Sequence, residues 1–332
     1  MGEYIGIKGG TVQSLASDPS PLIEGQVWYN TTSNVIKGTN NAGSGTWASG
    51  TSPSVGKYGA GSAGTTTAAL QIAGHNQSTA TNLVTTETYD GTTWTEVGDL
   101  STGGSYGMGC GTQTAAFFAG ASSPLSSALA QTWNGSSWTA GPAFLTLRYG
   151  GGGGGITTSA VYATGWKAPG HSLDSETWDG TSWSEGNNCN TGRSHVYCSG
   201  SSESDAMMSG GGTPARSALV ETYDGTSWTV ATVLPEAMVE GGGMGSGNTS
   251  AIVFGGGTPA APINPKTKIW NGSAWTEVGD LGTARQTMNQ GGSTGGTGAF
   301  CLGGYSPAPA PDETLLCEEY TGALGVVTFT TD

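Results

Sequence analysis

The sequence has little positive charge. It carries 10 Lys and Arg residues against 24 Asp and Glu residues in 332, which gives a formal net charge of −14. Proteins that bind nucleic acid or an anionic membrane surface need clustered cations, and those of this chain are scattered singly along it. The composition therefore predicts no nucleic-acid partner and no basic membrane-binding face.

Long apolar runs and metal-binding cysteine patterns are also missing. No run of 18 apolar residues is present, so we expect no transmembrane helix, and residues 1–15 lack the apolar core of a signal peptide. The five cysteines are odd in number and match no zinc motif. We expect small buried thiols in strands, and a single disulfide, Cys189–Cys198 or Cys301–Cys317, stays open.

What the chain does have is a motif that recurs along most of its length. ETYDGTTW at Glu87–Trp94 returns with small changes four times, and a degenerate sixth copy around Tyr320 lacks the tryptophan. The aromatic positions of the copies are Tyr89, Trp94, Trp133, Trp138, Trp178, Trp183, Tyr223, Trp228, Trp270, Trp275 and Tyr320. A constant period of about 45 residues is typical of a repeat architecture.

Each copy of the motif reads as strand, tight turn, strand. Asp-Gly and Asn-Gly tolerate positive φ in the two central positions of a hairpin turn. A calcium ligand or an acid catalyst is the alternative role for the recurrent Asp. Because Asn134 and Asn271 replace it in two copies, and Asn cannot do acid–base chemistry, we interpret the residue as part of the turn.

Every repeat also contains a Gly-rich segment and an apolar segment ahead of the motif. Four short strands per repeat, in six repeats, predict an all-β, six-bladed β-propeller over residues 55–332. In such a fold, the innermost strands of neighbouring blades leave little room for side chains, which explains their glycines. No helical pattern is present.

An apolar strand that ends in glycines, followed by aromatic–Asp and then Trp, resembles the kelch repeat. The resemblance covers about 55–332 and implies a kelch-like propeller, although the period is short and the turns are tight. Kelch-type oxidases pair histidines with a Tyr–Cys partnership that this sequence lacks, and it has no motif of a hydrolase. We therefore expect a protein that is not an enzyme, with no catalytic residue, no metal site and no cofactor.

The N-terminal part carries a second resemblance. An extended leader followed by GQVWYNTTSNVIKG predicts a β-hairpin within Glu24–Gly38, and this start is similar to structural proteins of tailed bacteriophages, tail fibres in particular. The resemblance implies a virion protein whose arm, residues 1–54, docks on other virion proteins, and it suggests a homotrimer. Capsid decoration is the alternative virion role. The predicted docking residues are Val27, Trp28, Tyr29, Val35 and Ile36.

The sequence leaves open how the last repeat is completed. Its outer strand is either the apolar segment Gly325–Asp332 or the segment around Trp47, which lies one period before Trp94. We expect the C-terminal segment to take this place, because it is rich in β-branched residues.

Loop length varies between the second strand and the hairpin, whereas the hairpin never changes length. Variable loops on a rigid scaffold are where binding sites usually lie. The loop residues that could grip a host surface glycan, a protein or a neighbouring subunit are His75, Trp166, Lys167, His171, Arg216 and Tyr305. The alternatives are ordinary Pro-stiffened loops and an enzyme acting on glycans or through a metal. We interpret His75, His171 and His195 as structural or surface residues, not metal ligands.

Overall fold

The structure, a computed structural model, describes residues 12–20, 26–122, 130–288, 298–306 and 315–329. These residues form an all-β protein with small antiparallel sheets and no helix. No helix in this part of the chain could span a membrane. Contacts divide the chain into residues 1–44 with 322–332, and residues 45–321. The predicted domains, 1–54 and 55–332, divide it elsewhere and stay a prediction.

The first unit contains the predicted hairpin. Its strands are β1 (Gln13–Leu15), β2 (Val27–Asn30) and the first part of β3 (Val35–Ser49). Strand β1 pairs with β2 in parallel, and β2 pairs with β3 antiparallel, with Asn30 opposite Val35 at the turn. The hairpin is therefore confirmed. Trp28 is buried, whereas 44% of Ile36 is exposed; a docking role for the five predicted residues stays a prediction.

The second unit holds the repeats, and its last strand continues from residue 322 onward into the first unit. Its strands are β4 (Gly61–Thr65), β5 (Ala68–Ile72), β6 (His75–Asn76), β7 (Thr81–Asn82), β8 (Thr86–Tyr89), β9 (Trp94–Glu96), β10 (Met108–Gly111), β11 (Ala116–Ala119), β12 (Ala130–Trp133), β13 (Trp138–Gly141), β14 (Gly152–Ile156), β15 (Ser159–Ala163), β16 (Trp166–Lys167), β17 (Gly170–His171), β18 (Ser175–Trp178), β19 (Trp183–Glu185), β20 (Tyr197–Ser202), β21 (Asp205–Ser209), β22 (Gly212–Thr213), β23 (Ala215–Arg216), β24 (Val220–Tyr223), β25 (Trp228–Val230), β26 (Gly242–Gly247), β27 (Ser250–Phe254), β28 (Thr267–Trp270), β29 (Trp275–Val278), β30 (Gly298–Leu302) and β31 (Cys317–Phe329).

Each of the first five repeats forms one four-stranded antiparallel sheet in chain order: the Gly-rich strand, the apolar strand and the two strands of the hairpin. The sheets are β4-β5-β8-β9, β10-β11-β12-β13, β14-β15-β18-β19, β20-β21-β24-β25 and β26-β27-β28-β29. Four strands per repeat are therefore confirmed for these five. The Gly-rich strand of the sixth repeat is predicted at Arg285–Gly292. The part of this segment from residue 289 onward lies outside the described residues.

The Gly-rich strands of successive repeats contact one another: β4 contacts β10, β10 contacts β14, β14 contacts β20, and β20 contacts β26. Their glycines are required by this close approach. A Cβ on Gly109 would lie 2.5 Å from the backbone nitrogen of Ser62 in the preceding repeat. The prediction that these strands leave no room for side chains is confirmed at such glycines, whereas Met108 and Tyr197 are buried side chains within the same strands.

The last sheet is completed by the Trp47 segment. Strand β31 lies between β30 and β3, and the Gly50 N–H donates to the Cys317 carbonyl oxygen at 2.9 Å. Trp47 packs 5.4 Å from the Tyr320 ring. The indole donates to Thr267 Oγ1 at 2.9 Å, as that of Trp138 in the second sheet does to Thr86, the equivalent threonine of the first sheet.

The expectation that Gly325–Asp332 would form a separate outer strand is thus wrong. Strand β31 runs on to Phe329 without turning back, because the degenerate copy lacks the Asp-Gly turn. Trp47, from the N-terminal part of the chain, takes the place of the tryptophan that this copy lacks.

All five cysteines are buried and unpaired. The expectation of buried thiols is confirmed, and neither of the two disulfides left open is formed. Burial raises the pKa of Cys189 to about 12, so the thiol stays protonated at neutral pH.

The hairpin turns keep the predicted strand register, but the Asp has a different role. In the first copy, Tyr89 lies opposite Trp94, with the two rings stacked 4.8 Å apart. Gly91 has positive φ, whereas Asp90 does not. Instead, Asp90 Oδ1 accepts hydrogen bonds from the N–H groups of Thr92 and Thr93, both at 2.8 Å.

Asn134 and Asn271 make the same pair of hydrogen bonds through their amide oxygens. The residue therefore acts as an acceptor within the turn, which is why Asp and Asn interchange. The interpretation of this position as part of the turn is confirmed.

A buried ion pair lies within each of four repeats. Lys57 pairs with Glu87 at 3.2 Å, Arg193 with Glu221 at 2.9 Å and Arg285 with Glu318 at 2.7 Å, and Arg148 pairs with Glu176. Each cation is fully buried. Each carboxylate is the first residue of a hairpin motif or its degenerate copy, so each pair links the segment before the Gly-rich strand to the hairpin.

This arrangement corrects the description of the cations as scattered. Three of the four arginines occupy one repeat position, and Lys57 occupies it in the first repeat. In the second repeat, Gly104 takes the place of the cation and Gln131 that of the carboxylate. Gln131 Oε1 accepts hydrogen bonds from the backbone N–H and the hydroxyl of Ser101, both at 2.9 Å.

We predict that Asp179→Asn changes the acid stability of the fold. The turn hydrogen bonds lower the pKa of Asp179 from 3.8 to about 2. A lowered folded-state pKa contributes stability above pH 4 that is lost as the pH falls toward 2. The Asn variant should have a slightly lower melting temperature than wild type at pH 7, and the difference should shrink by pH 2. Asp179→Ala, which lacks the acceptor, should be less stable at both pH values; a constant wild-type–Asn difference would contradict the mechanism.

We also predict strong coupling within the Arg193–Glu221 pair. Arg193→Met leaves the buried Glu221 carboxylate without its countercharge, which should lower the free energy of unfolding by about 3–5 kcal/mol. Adding Glu221→Gln, the residue found at this position in the second repeat, should restore a large part of the loss. Urea unfolding of both single variants and the double variant measures the coupling. Additive losses would show that the charges do not interact.

Candidate functional site

Six residues of the second unit form a closed ring of backbone hydrogen bonds. Each N–H donates to the carbonyl oxygen of the ring residue in the preceding repeat, at 2.5 to 3.2 Å, and the first repeat's N–H donates to the last. We call these residues the central ring: Gly59, Tyr106, Gly150, His195, Glu240 and Thr287.

All six residues of the central ring adopt positive φ, between 52° and 62°. Glycine reaches this conformation without strain, and two members are glycines. For the other four it costs roughly 1–2 kcal/mol each, and a β-branched residue such as Thr287 is a genuine outlier there. Strain of this kind persists mainly where a side chain serves function, which directs attention to Tyr106, His195, Glu240 and Thr287.

Three of these four side chains line an open pocket of about 330 Å³, which we call the ring pocket. Its lining residues are Tyr58, Gln77, Tyr106, Glu240, Gln286, Thr287 and Tyr305. Four ring side chains and their neighbours also enclose a cavity of about 10 Å³, close to the space of one water molecule.

Aromatic rings cluster around the central ring. Tyr106 lies 6.2 Å from Tyr58 and 5.0 Å, edge to face, from His195. Tyr149 lies 6.5 Å from Tyr106 on its other side. Burial lowers the pKa of His195 to about 4, so the imidazole is neutral at physiological pH and behaves as another uncharged ring.

Glu240 supplies a carboxylate to both the pocket and the cavity. Its backbone belongs to the central ring, but its side chain makes no hydrogen bond or ion pair with the described residues. Burial raises the pKa of Glu240, and Arg216 opposes this shift at longer range. Arg216 itself donates to the carbonyl oxygen of Thr258. The carboxylate is therefore half-buried without a direct partner in the described part of the chain.

Three predicted binding residues occupy equivalent places beside the central ring. The backbones of His75, Trp166 and Tyr305 form bridges with Tyr58, Tyr149 and Gln286, each of which immediately precedes a ring residue. Among these three, Tyr305 lines the ring pocket. His75 packs behind Tyr58, with the rings 5.1 Å apart, and its Nδ1 lies 2.9 Å from Asn82 Oδ1.

The other predicted binding residues have partners of their own. Lys167 pairs with Asp174 at 3.1 Å, and His171 packs edge to face on Trp166 at 5.2 Å. Segments predicted as loops thus contain the short sheets β6-β7, β16-β17 and β22-β23, the last of which carries Arg216. The parts of two predicted loops at residues 123–127 and 307–313 lie outside the described residues.

Sequence reasoning missed Tyr58, Gln77, Tyr106, Glu240, Gln286 and Thr287, and treated His195 as part of a strand. A signal existed for the ring. Four cations, Lys57, Arg148, Arg193 and Arg285, each stand two residues before a ring residue. Aligning the repeats on this position would have shown Gly, Gly, His and Thr at the equivalent site.

The arrangement suits binding more directly than catalysis. Hydrolysis of glycosides normally uses two carboxylates, and Glu240 is the sole acidic residue among those that line the ring pocket in the described part of the chain. The described residues hold no group of three or more His, Cys, Asp and Glu that could bind a metal. Aromatic faces beside amide, hydroxyl and carboxylate groups are the usual lining of a ligand pocket.

No protein-family model matches the chain, and no curated protein matches it. The proposals below therefore depend on the geometry of the molecule and on the resemblances carried by its motifs.

We predict that Thr287→Gly makes the protein more stable. Glycine removes the strain of a β-branched residue at φ 52°, so the free energy of unfolding should rise by about 0.5–1 kcal/mol. Gly150→Ala is the matched control and should lower it, because alanine introduces that strain and places a Cβ 3.4 Å from the His195 ring. Chemical denaturation measures both. A destabilised Thr287→Gly variant would mean that the threonine serves stability.

Proposed function

We propose that this chain is a six-bladed, kelch-like β-propeller, and that it serves as a virion protein of a tailed bacteriophage. Its most fitting place is a tail fibre or another outward appendage that binds a glycan on the host surface. The central ring supports six blades, because it takes one residue from each of six successive repeats and closes on itself. The outer strand that carries Trp47 supports a ring joined by both ends of the repeat region.

The single observation that carries the binding role is the ring pocket. Three tyrosines line it together with two glutamines, a threonine and a glutamate. Tyrosine offers an apolar face and a polar tip, and saccharides present C–H faces and hydroxyl groups that match this combination. The strained backbone of Tyr106, Glu240 and Thr287 is consistent with side chains kept for recognition.

The N-terminal hairpin supports an anchoring role on other virion proteins. Val27, Tyr29 and Val35 are half-buried and Ile36 is exposed, so apolar surface remains for a partner. The resemblance to tail-fibre proteins also suggests a homotrimer, with neighbouring subunits as further partners. Capsid decoration uses the same arm on a different part of the particle.

Cryo-electron microscopy of purified virions that carry the protein tests this proposal. We expect the β2–β3 hairpin to contact a tail or baseplate protein and the ring pocket to face outward. A Trp28→Ala variant should assemble less of the protein onto particles than Lys167→Ala, a control in the second unit. Propellers lying flat on the capsid would favour decoration, and a protein absent from the particle would overturn the virion role.

A further inference from the structure

We propose that the ring pocket recognises a protonated amine, so that the glycan bound there carries a free amino sugar. This inference rests on the proposed glycan-binding role and names the group that gives the site its selectivity. It is carried by the Glu240 carboxylate and by the tyrosine rings beside it.

The charge of the pocket favours a positively charged ligand. Glu240 is the one charged side chain among the lining residues that the structure describes, and no lysine or arginine lines the pocket with it. A half-buried carboxylate that Arg216 stabilises only at longer range is unfavourable in the empty protein. A ligand that brings a positive charge relieves this penalty, whereas a phosphate or carboxylate ligand would increase it.

Nearby cations of the protein are already engaged. Arg193 and Arg285, two residues before their ring residues, are paired with Glu221 and Glu318. Arg216 donates to the Thr258 carbonyl oxygen. His195 is neutral at physiological pH, because burial lowers its pKa to about 4. None of them therefore supplies a contact charge to Glu240, and the carboxylate remains available to a ligand.

The aromatic surface of the pocket also favours an amine. Tyr58 and Tyr106 lie 6.2 Å apart with a 58° angle between their rings, and both line the pocket with Glu240 and Tyr305. Ammonium groups are attracted to the faces of tyrosine rings. Tyrosines combined with one carboxylate therefore favour an amine over a hydroxyl group of the same size.

The uncharged polar residues of the pocket do not distinguish an amine from a neutral sugar. Gln77, Gln286 and Thr287 can bond hydroxyl groups of any saccharide, so they provide affinity without selecting charge. Glu240, whose backbone has a strained φ of 62°, is therefore the residue that selects for charge. Glutamine in its place would keep the size and the hydrogen-bonding capacity but remove the charge.

Isothermal titration calorimetry with two matched ligands tests the inference: a β-1,4-linked glucosamine tetramer and its fully N-acetylated counterpart. At pH 6, we expect the full-length protein to bind the amine form at least tenfold more tightly. Glu240→Gln should remove this preference and leave similar affinity for both ligands. Glu185→Gln, an exposed change of the same charge on β19, is the control and should keep the preference. Melting temperatures of the three proteins establish that each is folded.

Equal binding of the two tetramers by wild type, or a preference that survives in Glu240→Gln, would overturn the inference. A glycan array probed with wild type and Tyr106→Ala then judges the proposed function by itself. Binding of neutral glycans that Tyr106→Ala reduces would leave the glycan-binding role standing with the amine inference rejected. Binding of no glycan on the array and of neither tetramer would reject both.

Discussion

The buried pairing of a cation with the first carboxylate of the hairpin motif is the interaction on which the rest of the repeat region depends. It joins the segment before the Gly-rich strand to the hairpin in four repeats. Arg193 shows how much one side chain connects, since it also donates to the carbonyl oxygens of Gly210 and Leu219, at 2.9 and 2.7 Å. With both partners buried, the loss of one leaves an uncompensated charge, so the pair specifies the position of the chain more than it adds stability. Two residues further along lies the central ring.

The central ring places the side chains of the candidate site. Backbone hydrogen bonds around the ring require positive φ at every member, whatever its side chain. Gly59 and Gly150 meet this requirement at no cost. Tyr106, Glu240 and Thr287 meet it with strain, and all three line the ring pocket. Strain, burial and pocket lining thus coincide at the same residues, which is the reason to assign function here and not to the more exposed loop residue Lys167.

Much of the fold could be predicted from the sequence because its signals are local and repeated. The period, the hairpin register and the glycines of the Gly-rich strands each follow from a spacing or a steric limit. Trp47 shows where such reasoning stops. The same period pointed to it, but β-propensity favoured the C-terminal segment, and the missing turn after Tyr320 decided the outcome. β-Propensity thus carries less weight than the presence of a turn that can reverse the direction of the chain.

The site was harder to predict because its residues are spread over the repeats and share no local motif. Tyr58, Tyr106, Glu240 and Tyr305 come from four repeats and meet only when the ring closes. Tyr106 and Glu240 share the ring position, whereas Tyr58 precedes a ring residue and Tyr305 is bridged to the residue before one. Sequence reasoning searched for residue types, and so found Tyr305, which lines the pocket, beside His171 and Lys167, which do not. A register based on the buried cations would have found the ring residues but not the other two tyrosines.

Near-symmetry of the repeats limits which side chains could determine the proposed binding. The hairpins, the ion pairs and the ring hydrogen bonds recur with little change, so they build a nearly equivalent frame around the ring. A ligand that is not itself symmetric can be selected only by positions that differ between repeats. At the ring these are Tyr106, His195, Glu240 and Thr287, and Glu240 alone among them has a carboxyl group. The proposed selectivity for an amine therefore depends on one residue, while the repeated frame supplies the fixed geometry that makes one residue sufficient.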